Sequence, residues 1–177
     1  MNINKLLLAV LVLILSTGLI AKDKKIAHPT PMNPELLLKS ITEYADEEKL
    51  ELNKNLISFH YKKINLYCIF DTKADRMRII SPIAQAGKVP PELLINALKA
   101  NYHTVLDARY AIGDDLLYSA FIHPLSPLTV PELQSAILQV ATAAATFGSS
   151  FTSGELMFPG QGEAKKETRS AEKDPQT

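Results

Sequence analysis

The chain has 177 residues, 46% of them hydrophobic, and its 19 Lys and Arg balance 19 Asp and Glu to a formal net charge of zero. That balance excludes a protein that lives on nucleic acid, which needs a basic excess or stripe, and it leaves no polybasic patch for anionic lipid. A single cysteine, Cys68, excludes an internal disulfide framework.

The N-terminus carries one positive charge, Lys5, then a run of Leu, Ala, Val and Ile over residues 6–15. Ser16, Thr17 and Gly18 break the run, and Ala21 precedes the charged cluster Lys22-Asp23-Lys24-Lys25. This three-part pattern predicts a cleaved secretory signal over 1–21. The mature protein is then periplasmic or extracellular and off the membrane. The competing expectation is an uncleaved N-terminal anchor, because residues 3–21 approach the ~20 needed to cross a bilayer. No Cys follows the run to carry a lipid.

Residues 22–32 read as a linker. Asn33 is a good N-cap and Pro34 suits the first helical position. A helix is predicted to about Glu48, with Leu36, Leu37, Ile41, Tyr44 and Ala45 on one stripe. Strands are predicted over 56–61, 64–71 and 76–81, with Pro82 as the stop; Leu50 to Leu52 either leads into the first of them or stands as a separate short strand. Ile64, Leu66, Cys68 and Phe70 alternate with Asn65, Tyr67, Ile69 and Asp71, which places Cys68 on an apolar row as an inert core thiol. Pro90 and Pro91 open a second predicted helix to about Asn101, with Leu93, Leu94, Ala97 and Leu98 as its buried stripe. A hairpin follows: strand 104–112, turn at Gly113-Asp114-Asp115, strand 116–123. Thr129 and Glu132 form a capping box for a third helix reaching Phe147, with Gly148 as its cap. The Ala-rich run 141–145 keeps this helix thin. A domain is thus expected over 33–154, followed by a tail, 155–177, predicted to be disordered for want of apolar residues beyond Gly160. The order α-β-β-β-α-β-β-α predicts an α+β fold with an antiparallel sheet.

The segments Asp75-Arg76-Met77-Arg78-Ile79-Ile80-Ser81-Pro82, Asn101 with Leu106-Asp107-Ala108-Arg109-Tyr110-Ala111, His123-Pro124-Leu125-Ser126-Pro127-Leu128-Thr129 and Thr146-Phe147-Gly148 together resemble YbjN-like proteins of the type III secretion chaperone-like (CesT/YopN) superfamily. The resemblance covers residues 33–154. It implies a curved antiparallel sheet, binding of a protein or peptide, often a homodimer, and no catalytic residue. The secretion chaperones are cytoplasmic and acidic, whereas this chain is neutral and carries an export signal, so a chaperone-like fold used elsewhere is the expectation.

Asp107 and Arg109 lie two apart on a predicted strand and share a face, as do Arg76 and Arg78. Such groups either grip a peptide backbone or carboxylate through the guanidinium fork, or pin strand to strand as an ion pair. Tyr67, Tyr110, Tyr118, Phe121 and Ile80 include residues off the main apolar rows, suited to a partner-binding patch if they surface together. The four histidines, His28, His60, His103 and His123, lack helical zinc spacing, so neither metal nor cofactor is expected. The candidate partner-binding set is therefore Arg76, Arg78, Asp107, Arg109, Tyr110, Tyr118, Phe121 and His123. The leading expectation is an exported, non-enzymatic binding module. The alternative is a small-ligand sensor or enzyme, which requires Asp107, Arg109 and His123 to converge around a pocket.

Overall fold

A computed structural model describes residues 30–154; the signal segment, most of the linker and the tail lie outside the described residues. The elements in chain order are α1 (Pro34–Thr42), β1 (Leu52–Asn53), β2 (Leu56–Tyr61), β3 (Ile64–Asp71), β4 (Arg76–Gln85), a 3-10 turn (Ala86–Lys88), α2 (Pro91–His103), β5 (Arg109–Gly113), β6 (Leu116–His123) and α3 (Val130–Thr146). The strands form one six-stranded antiparallel sheet ordered β1-β2-β3-β4-β6-β5. The expected α+β class and element order are borne out, with the short β1 added.

Period-two alternation sorts the side chains. Ile57 and Phe59, Leu66, Cys68 and Phe70, Met77 and Ile79, Leu117 and Phe121, and Tyr110 are all buried on one face. Against that face lies α3, whose Leu133, Ala136, Ile137, Val140, Ala141 and Ala143 are buried. Helix α1 packs onto α3 through Leu37 and Ile41. Thr129 caps α3 as expected: its hydroxyl accepts from the Glu132 amide, and the Glu132 carboxylate accepts from the Thr129 amide. Burial pushes the Cys68 thiol up to about 12, which makes it the inert core thiol anticipated.

Several boundaries differ from expectation for identifiable reasons. Helix α1 stops at Thr42, not near Glu48, because Asp46 and Glu47 have other work. The β2–β3 hairpin closes on Lys62 and Lys63, both at positive φ (50° and 65°), the geometry of a tight two-residue turn. The Asp46 carboxylate accepts both of their amides, at 3.0 and 2.8 Å. Glu47 accepts from the His60 amide and pairs with its ring. Strand β4 runs through Pro82 to Gln85 instead of ending there. Pro82 lies beyond the last β3 pairing and beside a register shift, where a missing N–H is tolerated.

Helix α2 buries Ala97 and Ala100, while Leu98, expected in its core stripe, is 67% exposed. The helix lies along the free edge of β5 instead of across the sheet. There the Asn101 side-chain amide donates to the Tyr110 carbonyl at 3.1 Å and accepts from the Tyr110 amide at 2.8 Å. One side chain thus takes the place of a neighbouring strand. Residues 104–108, expected as strand, are a loop, and β5 begins only at Arg109.

The Asp46–Glu47 clamp has a defined pH dependence. Amide donation, first from Lys63, lowers the Asp46 carboxyl. For Glu47, desolvation is the largest effect and pushes upward, but the His60 amide and ring outweigh it, so its carboxyl is also lowered. The Glu47 hydrogen bond raises His60. The carboxylate contributions are present above the ordinary acidic range and are lost as pH falls through the lowered values. The His60 contribution is present below its ordinary value and is lost as pH rises through the raised one. Comparing urea midpoints of the wild type and an Asp46→Ala/Glu47→Ala variant across pH should therefore show the largest gap at about pH 5 to 6, with convergence below about pH 3.

Candidate functional site

Strand β6 overhangs β5. The first β5–β6 pairing is Arg109 with Ala120, so residues 121–123 extend past the start of β5. A cavity of about 390 Å³ fills the corner between that overhang, the 106–108 loop and α3, and it is lined by Asp107, Arg109, Phe121, Ile122, His123, Glu132, Ser135 and Gln139. Asp107, Arg109 and His123 do converge around a pocket.

Their polar atoms are largely committed to holding the corner. The Gln139 carbonyl accepts from the amides of Asp107 (2.8 Å) and Ala108 (3.1 Å), and its amide donates to Asp107 Oδ2 at 3.3 Å and Ser135 Oγ at 3.0 Å. Arg109 donates to the carbonyls of Leu106 and Ala108. His123 Nδ1 donates to the Pro124 carbonyl at 2.7 Å, and its ring stacks parallel to Phe121 with centroids 5.8 Å apart. Hydrogen bonds from Thr129 hold the Glu132 carboxyl below its usual range. The ion pair weighed for Asp107 and Arg109 does not form: Arg109 turns to the backbone carbonyls and Asp107 to Gln139. Nor do the two share a strand, since Asp107 sits in the loop that Gln139 ties down. The corner can bind; its groups are not arranged as nucleophile and base. Among the described residues no cluster of His, Cys, Asp or Glu could hold a metal ion.

The second candidate surface is the sheet face opposite α3. Its side chains stay exposed or half-exposed. Cross-strand pairing sets them in rows: Leu56, Ile69, Arg78 and Ile122; then Ser58, Tyr67, Ile80, Ala120 and Arg109; then Pro82, Tyr118 and Ala111. Of the eight residues expected to meet a partner, Arg76, Arg78, Arg109 and Tyr118 lie on this face. Asp107 and His123 line the corner. Tyr110 and Phe121 are buried on the α3 side, where the Tyr110 hydroxyl donates to the Ala143 carbonyl at 2.8 Å and its ring meets Phe147 and Phe151 edge-on. Arg109 and Ile122 belong to both the open face and the cavity, which makes the two surfaces continuous.

Sequence reasoning missed Gln139, a polar residue only 4% exposed on the apolar side of α3. Its position, three after Ala136 and two after Ile137 on the buried stripe, is the signal that could have found it. Replacing it with Leu leaves the Asp107 and Ala108 amides without their acceptor. Stability should fall by about 2–4 kcal/mol, and those two amides should lose hydrogen-exchange protection, while Gln139→Glu keeps the acceptor and most of the protection. NMR exchange with chemical denaturation measures both.

Sheet, covering helix and edge helix together define a chaperone-like α+β fold. A chain in the solved structure of the HopA1–SchA chaperone–effector complex is similar at 16% identity over 64% of this chain and 91% of that chain, with a TM-score of 0.50. The Yersinia pestis type III secretion chaperone SycH in complex with a fragment of YscM2 gives 16% identity over 63% of this chain and 97% of that chain, with a TM-score of 0.49. At such identity the first of these likenesses speaks for the fold alone. No family model and no curated protein matches the chain.

Proposed function

We propose that this chain is a non-enzymatic, chaperone-like binding module that engages a protein or peptide partner through its open sheet face. The observation that carries this reading is the row structure of that face. Tyr67, Ile69, Ile80, Tyr118 and Ile122 stay accessible, and no hydrophobic counterpart among the described residues packs over them. The β5 edge is engaged by Asn101 and β1 spans only two residues. Recognition thus runs through side chains on the face instead of through an added strand. The likeness to chains from chaperone complexes supports the same reading. The reading includes membership of the YbjN-like group, export by the N-terminal signal and action in the periplasm or outside the cell.

The module is also proposed to act as a homodimer. On α2, Ile95, Leu98 and Tyr102 are 52, 67 and 80% exposed and share one helical face by their spacing. A second copy covering that stripe removes it from water.

The test is a photo-crosslinking residue placed at Tyr118 and, as a control, at Gln134 on the outer side of α3. Adducts with one discrete partner are expected from Tyr118 and not from Gln134; equal labelling at both would refute use of the face. For the dimer, Leu98→Glu is expected to halve the mass measured by light scattering, and an unchanged mass would refute the α2 interface.

A further inference from the structure

The open face is apolar and cationic at once. Arg78 stands between Ile69 and Ile122 in one row, Arg109 ends the neighbouring row beside Ala120, and Arg76 lies at the margin. None of the three has a carboxylate within ion-pair distance among the described residues. Arg78 makes no hydrogen bond there either. Arg109 spends donors on two neutral carbonyls, which satisfies its geometry and leaves its charge uncompensated. Arg76 donates to the Asp75 carbonyl, and the Asp75 carboxylate beside it is bound to Ser126. Asp71 pairs in register with Arg76. Its Oδ1 nevertheless accepts from the amides of Lys73 and Ala74 at 2.8 and 3.0 Å. Glu132 and Asp107, near Arg109, are likewise bound to Thr129 and Gln139.

A chain of zero net charge has enough carboxylates to neutralise three arginines locally, yet it directs those nearby elsewhere. Resting on the face-binding reading above, we infer that the partner segment is acidic and apolar: its carboxylates meet Arg78 and Arg109, and its hydrophobic side chains cover Ile69, Ile80, Tyr118 and Ile122. Charge complementarity of this kind selects the partner and fixes its register, and the guanidinium fork suits a carboxylate. Three separated arginines with apolar residues between them fit a segment of alternating character better than the surface of a membrane, which calls for a dense basic cluster.

The test uses the purified full chain and two fluorescein-labelled peptides, one alternating Leu and Glu and one alternating Leu and Lys, followed by anisotropy. The Leu/Glu peptide is expected to bind at least about tenfold tighter than Leu/Lys. Added salt should weaken that binding, and Arg78→Glu/Arg109→Glu should abolish the preference with the thermal midpoint kept. Equal affinities, a Leu/Glu affinity unmoved by the double reversal, or no binding of either peptide would overturn the inference. Capture by phosphatidylglycerol vesicles without a preference between peptides would overturn it in favour of lipid. Loss of the dimer in Arg78→Glu would overturn it in favour of a second copy. If the Tyr118 adducts still form when the peptide preference is absent, the face-binding reading stands and only the acidic chemistry falls; if the adducts fail too, both fall.

Discussion

Nearly everything in this fold follows from one sheet being covered on one side. Helix α3 supplies the cover, with α1 leaning on it, while α2 lies along an edge. The alternation of side chains along each strand therefore decides which residues belong to the core. Ile79 and Cys68 vanish beneath α3, whereas their neighbours Arg78, Ile80 and Ile69 face outward. Each fully buried Leu or Ile contributes about 1.5–3 kcal/mol, so a one-residue slip of register would exchange the core for the surface and is forbidden by the same energy. The open face is the other half of that arrangement.

Irregular segments are held by polar side chains arriving from regular ones. Gln139 reaches from α3 to fix the loop before β5, and Asn101 reaches from α2 to β5 itself. Asp75 accepts from the amide and hydroxyl of Ser126, at 2.7 and 2.9 Å, tying the start of β4 to the loop before α3. Ser153 accepts from the Leu106 amide at 2.8 Å and so joins the segment after α3 to that same corner. All but the Asn101 contact cross more than 30 residues of sequence. Together they explain how a cavity persists at the end of β5, where sheet pairing has run out.

What was legible in the sequence was what local chemistry determines. The Thr129–Glu132 capping box, the Asn33–Pro34 helix start, the hairpin turning at 113–115 and the Cys68 apolar row all depend on neighbours a few residues away. The boundaries that moved depend on distant ones. Helix α1 ends early because Asp46 and Glu47 serve a turn sixteen residues on, and residues 104–108 leave the strand because Gln139 claims their amides. The candidate site was half legible for the same reason. Strand parity placed Arg76 and Arg78 together on one face. It could not say which face α3 would cover, and that decided the burial of Tyr110 and Phe121. The exposure of Leu98 likewise reflects where α2 docks, a fact no helical stripe encodes.

The Asn101 amide on Tyr110 has a consequence for colloidal behaviour. An unprotected edge strand is a template on which copies of a chain stack into fibrils. Here one edge offers a helix and a side-chain amide where a strand would dock, and the other tapers to two residues. A molecule that leaves a broad apolar sheet face uncovered thus has little edge from which cross-β stacking can begin. It can remain adhesive across its face at a concentration where a sheet with open edges would polymerise.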